Sequence, residues 1–108
     1  MVYCASAQLA FSTAARRNAV LADAQARIAG KQRWSVDTLT AEPFRFGANG
    51  IRVELRFVSR ADADDLMARV EAFATGVRAP LAGSWLTLHD CSHDEGTDVC
   101  TVVGRRDW

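Results

Sequence analysis

The clearest stretch of alternation lies at residues 51–57, where Ile51, Val53, Leu55 and Phe57 interleave with Arg52, Glu54 and Arg56. A strand repeats every two residues, so this predicts one buried and one wet sheet face. Residues 2–11 alternate in the same way, with Tyr3, Ala5, Ala7, Leu9 and Phe11 sharing a face. Each of these strands passes into a helical pattern. Ser12 or Thr13 can cap a helix that runs to about Ala29, with Gly30 as its stop. Ser59 opens a capping box with Asp62, Asp64 and Asp65 suit the helix dipole, Leu66, Val70 and Phe73 form the buried stripe, and Gly76 closes the second helix.

These two units resemble one another at an offset of 46 residues. Leu9, Phe11, Ala15, Val20 and Gly30 match Leu55, Phe57, Ala61, Leu66 and Gly76. The repeat halves cover about 2–46 and 50–105 of one domain spanning 1–108. Between the units, an extended stretch begins near Arg33, carries Trp34 and Val36, and is interrupted by Pro43. Phe44 and Phe46 lead into Gly47-Ala48-Asn49-Gly50, where Asn-Gly is a hairpin signal. A final hairpin is predicted at about 84–90 and 98–105. The resulting order, β-α-β-β-α-β-β, is an α+β arrangement. Its first six elements predict a ferredoxin-like split βαβ sheet, with both helices on one face and the last strand added at an edge.

Chemistry gathers in one place. Residues His89, Cys91, His93 and Cys100 lie within twelve positions, and they include both histidines and two of the three cysteines. A two-residue turn at Glu95-Gly96 would set position 91 opposite 100, 89 opposite 102 and 87 opposite 104. Leu86 and Leu88 would then share the helix-covered face with Val99, Thr101 and Val103. The open face would hold Gln8, Arg52, Glu54, Arg56, Trp85, Thr87 and the His/Cys cluster, with Cys100 and Val102. A one-residue slip would reverse this assignment.

Thiolate and imidazole are zinc ligands, so Cys91 and Cys100 with His89 or His93 form a candidate metal site. Its spacing is neither a doubled C-x-x-C nor H-E-x-x-H, and His89 and His93 would stand roughly 13 Å apart on an extended strand. A cross-strand cysteine pair, bonded or as packed thiols, competes with it. Packed thiols are the first expectation in a reducing compartment. A Cys91–histidine dyad lacks an oxyanion hole and an orienting third group. The acidic run Asp90, Asp94, Glu95 and Asp98 lacks the order of a calcium loop. Cys4 reads as a small strand residue.

The 108 residues hold 13 basic and 13 acidic side chains, for a formal net charge of zero. Counterion release therefore has little to drive non-specific duplex binding, although nucleic acid could meet the arginine-bearing face locally. RNA-binding sheets of this topology stack bases on aromatics, whereas Arg52, Glu54 and Arg56 occupy those positions here. Arg16-Arg17 sits in a first helical turn, where a phosphate or partner contact competes with simple solvation. No Gly-rich phosphate loop occurs.

No apolar run approaches the roughly 18 residues of a membrane span, and the first residues lack a signal-peptide pattern. The expected location is cytoplasmic, or the virion for a phage component. Arg105-Arg106-Asp107-Trp108 sets an aromatic beside two cations, to dock on the domain or on a neighbouring subunit. Small size, exposed sheet edges, neutrality, Trp85 and Trp108 together favour a non-enzymatic association protein. It would be a homo-oligomeric adaptor or a structural subunit of a bacterial or phage assembly, with no cofactor. A metal- or nucleic-acid-binding module is the alternative, and a small enzyme using Cys91 ranks behind both.

Overall fold

A computed structural model describes residues 2–30, 34–43, 49–74, 80–91 and 100–108, with the side chains of 69–74 left aside. Among them the order is β1 (Tyr3–Phe11), α1 (Ala14–Ala29), β2 (Ser35–Pro43), β3 (Asn49–Phe57), α2 (Arg60–Ala74), β4 (Trp85–Asp90) and β5 (Thr101–Asp107). The strands form one antiparallel sheet in the order β2-β3-β1-β4-β5. The first four strands have the ferredoxin-like order, and β5 extends the sheet beyond β4.

The helices start where the sequence places caps. Thr13 has extended backbone, and its hydroxyl accepts from the Arg16 amide at 3.1 Å. The Ser59 hydroxyl accepts from the Asp62 amide at 3.4 Å. Gly30 ends α1 in a right-handed conformation, φ −82°, so its role there does not depend on a left-handed turn. The Asn-Gly expectation requires correction. Asn49 and Gly50 belong to β3, where they pair with Pro43 and Glu42 across β2 and with Phe11 and Ala10 across β1. Pairing on both sides fixes them as strand rather than turn. Phe44, Phe46, Gly47 and Ala48, together with Gly76, fall outside the described residues, as do the side chains of Val70 and Phe73.

Alternation in β1 and β3 sends Tyr3, Ala5, Ala7 and Leu9 to the same face as Phe57, Leu55, Val53 and Ile51, their direct partners. Helices cover that face. Val20, Leu21, Ala24 and Ile28 of α1 meet Ala7, Leu9, Phe11, Leu39, Ile51 and Leu86. Ala63, Leu66 and Met67 of α2 meet Tyr3, Ala5, Leu55, Phe57 and Leu88. Phe57 stacks between Tyr3 and Trp34, with ring centroids 5.8 and 4.6 Å away. The small side chains Ala5 and Ala7 let the helices approach a sheet whose bulk comes from its neighbours.

The internal repeat acquires a geometric meaning here. Position 7 corresponds to 53 at the offset of 46, and Ala7 pairs directly with Val53. A pseudo-two-fold axis therefore passes through that pair and relates the β1–α1 unit to the β3–α2 unit.

The β4–β5 register agrees with expectation at His89–Val102 and departs from it beyond. A bulge at Val103 shifts the pairing by one, so Leu88 faces Gly104, Thr87 faces Arg105 and Leu86 faces Arg106. Thr87 thus does not pair with position 104, and Val103 does not join Leu86 and Leu88 beneath the helix. Packing explains the shift. Gly104 lies beneath Met67, where an added Cβ would come within 2.9 Å of the Met67 sulfur. The bulge brings the one residue without a side chain to the crowded position.

β5 ends later than expected, at Asp107, and expected positions 98 and 99 lie outside the described residues. Trp108 then docks on its own domain. Its amide donates to the Ser84 carbonyl at 3.1 Å, its carbonyl accepts from the Gly83 amide at 2.9 Å, and its ring packs against the α1 core. Among the described residues, no helix is long and apolar enough to cross a membrane.

Candidate functional site

The face away from the helices is assembled in rows across the sheet. One row runs Thr40, Arg52, Gln8, Trp85 and Asp107; the next runs Thr38, Glu54, Ser6, Thr87 and Arg105. A third runs Ser35, Arg56, Cys4, His89 and Val102. Cys91 continues β4 past this row, its amide donating to the Val2 carbonyl at 2.8 Å. Extending the His89–Val102 and Asp90–Thr101 pairs by one step sets Cys91 against Cys100.

Charges on the face are matched locally. The Arg56 guanidinium grips the Asp37 carboxylate through two hydrogen bonds, Nε to Oδ2 at 2.8 Å and Nη2 to Oδ1 at 2.9 Å. Arg52 donates to Glu54 at 2.6 Å, and Arg105 donates to both Asp107 oxygens at 2.8 and 3.0 Å. These carboxylates hold each arginine above its ordinary range, and Arg105 in turn holds the Asp107 carboxyl below its own. The three guanidiniums thus already have anionic partners, which weakens the phosphate-contact reading of Arg52 and Arg56. Exposed pairs of this kind add little stability, so their main effect is a face of balanced sign. The cleft beside Gln8, Glu42, Pro43, Gly50, Ile51 and Arg52 has room for about one water, ≈ 10 Å³.

The cysteines are the notable group. Cys91 Sγ lies 3.0 Å from Cys4 Sγ and 3.0 Å from Cys100 Sγ, and all three are half-buried free thiols. Burial pushes the Cys91 thiol up, and its sulfur neighbours push it further. Two ligands on tetrahedral zinc, each bonded at about 2.3 Å, stand about 3.8 Å apart. The observed contacts, 3.0 Å each, are shorter than that spacing. Among the described residues, no group of three or more histidine, cysteine or acidic side chains has a metal-holding arrangement.

The residues named from sequence are therefore partly united. Cys91 and Cys100 meet, and His89 stands one row away, opposite Cys4. His93 and the Glu95-Gly96 turn lie outside the described residues. Trp85 is half-buried on the open face, between Gln8 and Asp107, whereas Trp108 closes onto the core. Cys4 is the member that sequence reasoning missed. Its signal was present, because alternation in β1 puts Cys4 on the open face and the ferredoxin-like order places β1 beside β4. The chain matches no protein-family model, no curated protein and no solved structure.

Proposed function

We infer that this is a small non-enzymatic association protein, a homo-oligomeric adaptor or structural subunit that joins a second copy of itself through the β5 edge. The observation that carries this reading is the asymmetry of the two sheet edges. β2 ends in Pro43 and is interrupted by a register shift between Val36 and Thr38, two devices that blunt an edge. Among the described residues β5 has β4 as its one strand neighbour, and its first half, Thr101–Gly104, carries no charge. Val102 and Val103 are 53% and 36% exposed there. Pairing of β5 with a second β5 would satisfy outward backbone groups and cover these valines.

The experiment is native mass spectrometry and light scattering across a concentration series, on wild type and on the V102K/V103K variant. We expect a dimer or closed multimer that the two lysines convert to monomer. A wild-type chain that stays monomeric at the highest soluble concentration would refute self-association.

A further inference from the structure

We propose that Cys4, Cys91 and Cys100 form a thiol–disulfide relay in which Cys91 is the shared partner, taking oxidising equivalents from a low-molecular-weight disulfide of the glutathione class. The three sulfurs come from β1, from the residue that follows β4 and from the residue that precedes β5, and they meet on the open face. Cys91 stands 3.0 Å from each of the other two. A disulfide bond is about 2.05 Å, so either contact closes with a movement of about 1 Å. Cys91 and Cys100 are directly opposed in register, the geometry in which cross-strand Cα atoms are spaced for a bond. Cys4 reaches Cys91 on the diagonal, since its own register partner is His89.

The chemistry balances in three steps. The Cys4 sulfur, as thiolate at the alkaline pH of the test, attacks the small disulfide. A mixed disulfide forms at Cys4 and one small thiolate leaves. The Cys91 sulfur then attacks the Cys4 sulfur, its proton passes to the second departing thiolate, and a Cys4–Cys91 bond results. Two cysteines have been oxidised, and one small disulfide has been reduced to two thiols. Attack of the Cys100 thiolate on Cys91 moves the bond to Cys91–Cys100 and releases Cys4 as thiolate, with no net change in oxidation. Three sulfurs allow one bond at a time, so one thiol always remains. Cys91 belongs to every bonded state, and bonds at its two sides tie β4 to β1 or to β5 in alternation.

The test is oxidation of the full chain with glutathione disulfide at mildly alkaline pH, followed by acid quench, alkylation and peptide mapping. Cys4 and Cys91 are 87 positions apart, whereas Cys91 and Cys100 are nine apart. Loop closure in an unfolded chain makes the longer bond about 30-fold rarer than the shorter. In the folded protein the two contacts are equal in length, so the ratio of Cys4–Cys91 to Cys91–Cys100 bonds should rise by about that factor over a denatured control. The same bond ratio in native and denatured protein would overturn the relay. C100S should still form its Cys4–Cys91 bond at the wild-type rate, C4S should form the Cys91–Cys100 bond more slowly for want of the entry thiol, and C91S should form no internal bond, gaining only mixed disulfides. A Cys4–Cys100 bond in C91S at the wild-type rate would overturn the assignment of Cys91 as the shared sulfur. If C91S does not fold, the native-to-denatured ratio in wild type decides alone.

Discussion

Ser84 offers the sharpest test of how the sheet is finished. β1 outruns β4: the last β1–β4 pair is Gln8 with Trp85, yet β1 continues to Phe11. Ala10 therefore turns an amide and a carbonyl toward a side where no strand remains. The Ser84 hydroxyl accepts from the Ala10 amide at 2.8 Å, and the Leu81 amide donates to the Ala10 carbonyl at 2.8 Å. Ala10 and Ser84 are 2% and 1% exposed, so water does not substitute. Ser84→Ala leaves the Ala10 amide buried and unsatisfied, a loss of about 1–3 kcal/mol. With a urea slope of about 1–3 kcal/mol/M, a 2 kcal/mol loss moves the unfolding midpoint down by roughly 1 M. The slope itself should not change, and hydrogen exchange at the Ala10 amide should accelerate selectively. Ser35→Ala, on an exposed strand position, serves as the control and should stay within about 0.5 kcal/mol of wild type. An S84A midpoint indistinguishable from that of S35A, with Ala10 exchange unaltered, would refute the account of Ser84 as a substitute ladder partner.

Further expectations concern the packing, the helix cap and the thiols. Gly104→Ala places a Cβ 2.9 Å from the Met67 sulfur and should cost about 1–3 kcal/mol, read by urea unfolding. Met67→Ala on the same chain should recover part of that loss, giving a measurable coupling of about 0.5–3 kcal/mol in a double-mutant cycle. Thr13→Ala removes the α1 cap and should cost about 0.5–2 kcal/mol, seen as a lower midpoint by far-ultraviolet circular dichroism. The Cys91 thiol is held above its ordinary value of 9.0, chiefly by burial. The unfolded chain therefore ionises this thiol first. Stability should be complete below pH 9 and should fall as pH rises toward the folded value, with a shallower fall in Cys91→Ala under reducing conditions.

Much of this molecule could be read from alternation and caps, because those signals are local. Ile51 to Phe57 and Tyr3 to Phe11 declared both their strands and their buried faces, and Thr13 and Ser59 marked where helices begin. The errors arose where a distant contact decided the outcome. Asn49-Gly50 has the composition of a tight turn, but β1 and β2 both claim it for β3. The bulge at Val103 answers to Met67, more than 30 positions away, and no spacing within the hairpin reveals it. The site was half legible for the same reason. Cys91 and Cys100 are neighbours in sequence, whereas Cys4 joins them only through the sheet order.

The pairing of Ala7 with its own repeat equivalent, Val53, has a consequence for assembly of the fold. A strand that meets its counterpart about a two-fold axis is what a symmetric dimer buries, so the β1–β3 ladder is an isologous interface enclosed in a single chain. The peptide connection replaces a second-order encounter with a first-order one, at an effective concentration on the order of millimolar for a short tether. Folding of the intact chain should accordingly be independent of dilution. Separated β1–α1–β2 and β3–α2–β4–β5 segments should instead associate with second-order kinetics, to an extent that depends on their concentration.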